Sequence, residues 1–106
     1  MAGKFEVKTT ANGQFMFNLK ASNGEIILTS EMYKSKGGLR NGIKSVRKHA
    51  PDRDNYKVLS SKKGDPYFVL RAKNYQVIGR SEMYSSDRAM ENGIASVMKN
   101  APGATV

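Results

Sequence analysis

Glu31 and Tyr33 stand two residues apart in the run Ser30-Glu31-Met32-Tyr33, and the same four residues return as Ser81-Glu82-Met83-Tyr84. On an extended backbone, residues two apart point the same way. A carboxylate beside a phenol could then work as an acid/base pair. The competing reading is architectural. Glu31 would accept hydrogen bonds from the N–H groups of a nearby helix start, and Tyr33 would pack its ring with its hydroxyl bonded. Recurrence favours architecture, because two copies of one unit need the same joints. The polar residues that recur are Ser30, Glu31, Tyr33, Asn41 and Ser45, with Ser81, Glu82, Tyr84, Asn92 and Ser96.

A second pattern is cationic. Lys36, Arg40, Lys44 and Lys48 follow one another at i, i+4 spacing, with Arg47 beside them. On a helix they would line one face over about 18 Å, a stripe able to track a phosphate backbone. Asp87, Glu91, Ala95 and Lys99 stand at the corresponding positions of the second copy, so the stripe is not needed for folding. It is either drift on a solvated face or a feature acquired by the first copy. No base-reading motif accompanies it. Tyr75, expected at a loop tip near Arg71 and Lys73, could stack on a base. Ser35-Lys36-Gly37-Gly38 could offer free N–H groups to an anion, but Asp87 would repel one in the second copy.

Other chemistries lack their residues. There is no cysteine and only one histidine, His49, which Asn100 replaces in the second copy. His49 is expected at a helix C-terminus, where the dipole favours a cation. No His/Asp/Glu cluster has metal-ligand spacing, and no nucleotide-binding glycine motif is present. No catalytic residue, cofactor site or metal site is therefore expected, and the chain is read as not an enzyme. The net charge of +9 favours polyanions and is equally a solubility device. Residues 1–50 carry nine Lys/Arg against three Asp/Glu, and residues 51–106 nine against six. The leading expectation is a small binding or interaction module whose partner the sequence does not name. The alternative is weak, sequence-nonspecific nucleic-acid binding through the basic face of the first helix. An acid/base enzyme ranks third.

These residues need a scaffold, and the chain writes it twice at an offset of 51 residues: Asn41-Gly42-Ile43 returns as Asn92-Gly93-Ile94, and Ala50-Pro51 as Ala101-Pro102. Units this short seldom fold alone without disulfides or metals, so the copies must share a core. Phe5 and Val7 alternate with charged residues, as in a strand. Asn12-Gly13 predicts a type I′ hairpin turn, leading to a second strand with Phe15, Phe17, Leu19 and Ala21 on one face. After Asn23-Gly24, the run Ile26-Ile27-Leu28 predicts a third strand covered on both sides. Tyr56, Val58 and Leu59, the Lys63-Gly64 turn, Phe68, Leu70 and Ala72, then Val77 and Ile78 repeat the series. Asn74 is expected to take the left-handed conformation at the last turn. Leu39, Ile43, Val46 and Ala50 then space as an amphipathic helix of about 14 residues. Met90, Ile94, Val97 and Ala101 match them, with Ser35 and Ser86 as N-caps and Pro51 and Pro102 as stops. Asn41-Gly42 and Asn92-Gly93 fall inside these helices, where glycine costs about 1 kcal/mol. Close approach of the helix backbone to the sheet or the other helix would explain it, and a ligand groove is the alternative.

The expected fold class is therefore α+β: tandem β-β-β-α repeats (1–51 and 52–106) in one domain over 1–106. A six-stranded antiparallel sheet, related by a pseudo-two-fold axis, carries two helices. The junction at 50–55 is too short to separate independent domains, and the tandem chain is expected to be a monomer. No apolar run reaches the length of a membrane span, and no signal-peptide pattern is seen. The expectation is a cytoplasmic, soluble protein with no membrane partner.

Three motifs carry a family resemblance: Phe17-x-Leu19-x-Ala21-x-Asn23-Gly24-Glu25, Ser30-Glu31-x-Tyr33, and Asn41-Gly42-Ile43-x-Ser45-Val46, each with its counterpart 51 residues on. In combination, over nearly the whole chain, they resemble the YegP-like proteins, small bacterial proteins with a domain of unknown function. The second copy departs at Tyr75-Gln76, where the first has Gly24-Glu25. The resemblance implies paired β-β-β-α units around one core and no known activity.

Overall fold

The computed structural model describes residues 3–106. Strands β1 (Lys4–Thr9), β2 (Phe15–Lys20) and β3 (Ile26–Ser30) precede helix α1 (Lys36–His49). A single 3-10 turn at Arg53–Asn55 leads to β4 (Tyr56–Ser60), β5 (Pro66–Arg71), β6 (Val77–Arg80) and helix α2 (Asp87–Asn100). All six strands form one antiparallel sheet in the order β1-β2-β3-β6-β5-β4. The two meanders meet at the central β3/β6 pair, where Thr29 faces Arg80 and Ser30 faces Gly79.

The helices share the core across the repeats. α1 lies over β2 of its own half and over β5 and β6 of the other, while α2 lies over β5 and β3. Phe17, Leu19, Ile43 and Val46 therefore join Phe68, Leu70, Ile94 and Val97 in one buried cluster. Burying such side chains contributes about 1.5–3 kcal/mol each, and each helix covers strands of both halves. Ser35 and Ser86 cap the helices as expected, accepting from the N–H of Gly38 and Ala89 at 3.0 and 3.1 Å.

Three local expectations are corrected. The turn at Asn12-Gly13 is not type I′. Gly13 (φ +80°) takes a left-handed conformation and Asn12 does not. Thr10 N–H donates to the Gln14 carbonyl and Gly13 N–H to the Thr10 carbonyl, a type I turn closed by a left-handed residue. All four hairpins repeat this bonding, with Gly13, Gly24 and Gly64 at the left-handed position. At the fourth it is Tyr75 (φ +67°), not Asn74. Finally, the continuous apolar run of β3 does not reflect burial on two faces. Leu19 pairs with Leu28 and Lys20 with Ile26, so Ile27 is an extra residue in a β-bulge. The bulge turns both Ile27 and Leu28 inward. Ile78 is the corresponding extra residue of β6.

The central pair also breaks the repeat. A Cβ on Gly79 would stand 2.8 Å from Leu28 Cγ, and Gly79 is the counterpart of Leu28 at the 51-residue offset. Two leucines meeting at the pseudo-axis would overlap, so one half supplies the side chain and the other the space for it.

Candidate functional site

α1 presents Lys36, Arg40, Lys44 and Lys48 to solvent, and the ion pairs among the described residues involve other groups. Beside these cations lie two shallow adjoining hollows of about 290 and 210 Å³. Their apolar surface comes from Val7, Phe15, Leu39, Ile43 and Val106, and their rim from Lys36, Arg40, Lys44 and Arg47. Val7 and Val106 are 42% and 67% exposed. No Asp or Glu side chain lines either hollow. The result is a groove between α1 and the sheet margin at β1, apolar within and cationic along one side.

Arg47 does not belong to the solvated stripe. Its Nη2 donates to the Ala104 carbonyl at 2.6 Å, and its guanidinium lies 5.3 Å from the centre of the Phe5 ring. It holds the segment after α2 against β1. Both partners lie far away in sequence, so i, i+4 spacing cannot separate Arg47 from its neighbours. The second copy treats the corresponding region differently. Arg53 bonds Glu91 of α2 at 2.9 Å, placing an ion pair where the first copy leaves unpaired cations.

The recurring polar residues divide into two groups. Ser30 accepts from Phe17 N–H at 2.9 Å and donates to the Glu31 carbonyl at 2.8 Å, and Ser81 repeats both bonds with Phe68 and Glu82. Ser45 lies beside His49, whose Nδ1 is 2.8 Å from the Ser45 carbonyl. Lys73 N–H reaches His49 Nε2 at 3.4 Å. Asn100 makes the equivalent bond to the Ser96 carbonyl at 2.8 Å. His49 stands at the C-terminal end of α1, as expected, and is buried there with its ring within hydrogen-bonding distance of the Ser45 carbonyl.

The second group has no such partners. Glu31 does not bond a helix start, and its nearest cation is Arg80 at 3.8 Å. The Tyr33 and Tyr84 hydroxyls, expected to be satisfied, accept and donate no hydrogen bond among the described residues, and Asn41 and Asn92 are exposed. Glu31, Met32, Tyr33, Asn41 and Gly42 line one cleft of about 480 Å³, closed by Asn74 and Gln76 of the other repeat. Glu82, Met83 and Tyr84 line its counterpart with Gly24 and Glu25. Burial raises the Tyr33 and Tyr84 pKa values, and the neighbouring Glu31 and Glu82 charges raise them further. A phenol pushed upward is a poor general base near neutral pH. Among the described residues no group of three or more His, Cys, Asp or Glu could hold a metal ion, and no helix is long and apolar enough to cross a membrane.

Sequence reasoning singled out Tyr75 but missed its backbone state. The residue is 74% exposed, and the Arg71 guanidinium lies 5.0 Å from its ring centre. The loss of glycine at the fourth of four like turns is the signal that could have shown it.

Comparison with known proteins agrees with this arrangement. The model of a domain of unknown function, DUF1508, matches residues 11–56 and again 61–106. A UPF0339 protein YegP of Yersinia pestis is 60% identical over 98 residues, 92% of this chain and 88% of that protein. A UPF0339 protein of Bordetella pertussis is 57% identical over 104 residues, 98% of this chain and 93% of its own. The solution structure of the E. coli protein of unknown function yegP superposes with a TM-score of 0.94 at 47% identity, covering 100% of this chain and 91% of that one. A UPF0339 protein structure from Shewanella oneidensis gives 0.91 at 48% identity, with 99% and 90% covered.

Proposed function

Because the chain belongs to the DUF1508 family, whose description assigns no activity, we propose its function from geometry: a non-enzymatic binding module that engages an anionic macromolecule through one face of α1. The observation that carries this reading is the contrast between the halves. On α1, Lys36, Arg40, Lys44 and Lys48 are exposed and unpaired among the described residues. On α2, the matching positions hold Asp87, Glu91, Ala95 and Lys99, with Glu91 bound by Arg53. The fold forms either way, so the cations are free for a partner.

A second reading, sequence-nonspecific nucleic-acid binding, is favoured by the spacing. One cation per turn repeats every ~6 Å, close to the distance between successive phosphates. Side chains that would read base edges do not accompany it.

Changing Lys36, Arg40, Lys44 and Lys48 together to glutamine tests the proposal. Retention on an anionic matrix at low salt is expected to fall. With duplex DNA as the probe, the slope of log affinity against log salt is expected to shrink by roughly 0.9 for each phosphate no longer neutralised. Lys57, Lys62, Lys63 and Lys99, also exposed, supply a control of equal charge. If glutamine at those four positions lowers binding as much, only net charge is at work and the proposal fails.

A further inference from the structure

We infer that the outer edge of β1 and the groove beside it form a seat for one acidic, extended peptide segment, which joins the sheet as a further strand. The inference rests on the reading of α1 as an anion-binding face and names the partner.

β1 is an edge strand, paired on its inner side with β2. On its outer side only the first positions are taken. Phe5 N–H donates to the Thr105 carbonyl at 2.7 Å, and Thr105 N–H to the Gly3 carbonyl at 3.2 Å. These bonds form a parallel bridge between Lys4 and Thr105. Backbone groups of an antiparallel strand alternate between its two sides. Val7 and Thr9 therefore turn their N–H and C=O groups outward, as Phe5 does, and no backbone partner takes them among the described residues. β1 contains no proline and pairs without a bulge, so two of the devices that protect edges are missing.

The side chains agree with the backbone. Val7 and Thr9 share the helix-side face with Phe5 and form one wall of the groove whose other wall carries Lys36 and Arg40. The segment Thr105-Val106 already occupies the head of this edge, with Val106 on the groove wall. A strand continuing along β1 would place every second side chain over the groove. Aliphatic ones would meet Val7 and Val106, and acidic ones would meet Lys36, Arg40 and Lys44. Charge complementarity selects the occupant, since four cationic side chains and no Asp or Glu side chain line the groove. The β4 edge is set against the same occupant. It keeps an exposed Val58, but at the positions matching Lys36 and Arg40 helix α2 carries Asp87 and Glu91, the latter held by Arg53. A nucleic acid would use the cations and leave the main-chain groups and apolar wall idle.

The test uses fluorescence anisotropy with a short labelled peptide of the repeat valine-threonine-glutamate-threonine, which puts valine and glutamate alternately on one face. Glutamine at Lys36, Arg40 and Lys44 is expected to weaken binding about tenfold. A probe N-methylated at alternate peptide groups keeps its side chains and charge but cannot pair, and is expected to bind about tenfold less tightly. Val7→Pro, which removes one outward N–H and leaves the β2 ladder intact, is expected to act like the methylated probe. Amide shifts on titration are expected along β1 and α1. If the methylated probe binds as tightly as its parent, or the shifts fall on β4, strand addition is overturned while the anion-binding face stands. If duplex DNA binds and the peptide does not, the partner is nucleic acid and the inference is overturned. If neither peptide nor DNA responds to the glutamine variant, the underlying reading of α1 fails.

Discussion

The phenol of Tyr33 lies against the backbone of Gly42: a Cβ on Gly42 would stand 2.2 Å from the Tyr33 hydroxyl oxygen and 2.5 Å from Cζ. Tyr84 and Gly93 repeat the arrangement at 2.2 and 2.6 Å. The two recurring motifs, separate in each copy, are thus the two sides of one joint. The ring is pinned from behind by Phe17, stacked at 6.3 Å between centroids, and by paired backbone bonds between Phe15 and Tyr33 at 2.7 Å each. Swinging the ring aside would give up its contact with Phe17, which is why the helix accepts a glycine there.

Gly42→Ala is therefore expected to destabilise by about 1–3 kcal/mol, although alanine is the better helix former. Combined with Tyr33→Ala, the cost is expected to be less than the sum of the two single changes, because the clash disappears with the ring. Urea denaturation of the four proteins measures the coupling. Additive costs would mean that the Tyr33 ring does not explain the glycine.

The Leu28/Gly79 asymmetry makes a related prediction at the pseudo-axis. Gly79→Leu is expected to cost about 1–3 kcal/mol through overpacking, and Leu28→Gly about 2–5 kcal/mol through the cavity it leaves. The exchange of both residues is expected to recover much of that loss, because side chain and space only change sides. Thermal melting of the single and double variants decides it.

Tyr75 holds a left-handed backbone where the other three turns have glycine. That conformation costs a bulky residue about 1–2 kcal/mol, against about 0.5–1 kcal/mol recovered from the exposed Arg71 stack. Tyr75→Gly is expected to raise stability by about 0.5–1 kcal/mol, read from the shift of the denaturation midpoint. A loss of stability would contradict the assignment of strain.

Arg47→Met places the second copy's residue, Met98, in the first. The Ala104 carbonyl loses its charged donor and Phe5 its guanidinium cover. Faster hydrogen exchange is expected at the amides of Phe5 and Thr105, with the central strands unchanged. Stability is expected to fall by about 1–3 kcal/mol. Uniform change across the sheet would mean Arg47 does not act through the terminal segment.

Burial raises the pKa of Tyr56, most strongly, and of Tyr33 and Tyr84 above the ordinary phenol value of 10.0. The buried Tyr56 hydroxyl donates to the Ala50 carbonyl at 2.8 Å and must keep its proton to do so. In the unfolded chain these phenols ionise near that ordinary value, so at higher pH the unfolded state binds fewer protons than the native one. Stability is then lost as pH rises. Denaturation midpoints are expected to hold up to the ordinary phenol pKa and fall beyond it, and less steeply in Tyr56→Phe. The same slope with and without Tyr56 would exclude it as a contributor.

Much of the architecture was legible without coordinates because it is local or periodic. The 51-residue recurrence is periodic, and the apolar alternation of β2 and β5, the serine caps and the proline stops each act within a few residues. They led to paired β-β-β-α units sharing a core. The cationic face of α1 was legible for the same reason, since one helical turn is a short-range repeat. What the sequence left open depends on contacts across the chain. Spacing on the helix could not remove Arg47 from the stripe, because its partners Phe5 and Ala104 arrive from the two ends of the fold. The place of His49 at the helix end was legible, but its burial beside Ser45 and Lys73 was not. The bulge at Ile27, the left-handed Tyr75 and the matching of Leu28 with Gly79 arise where strands must fit neighbours of fixed shape. Short-range preference determined the elements; close packing between distant segments decided which polar groups the fold consumes and which remain for a partner.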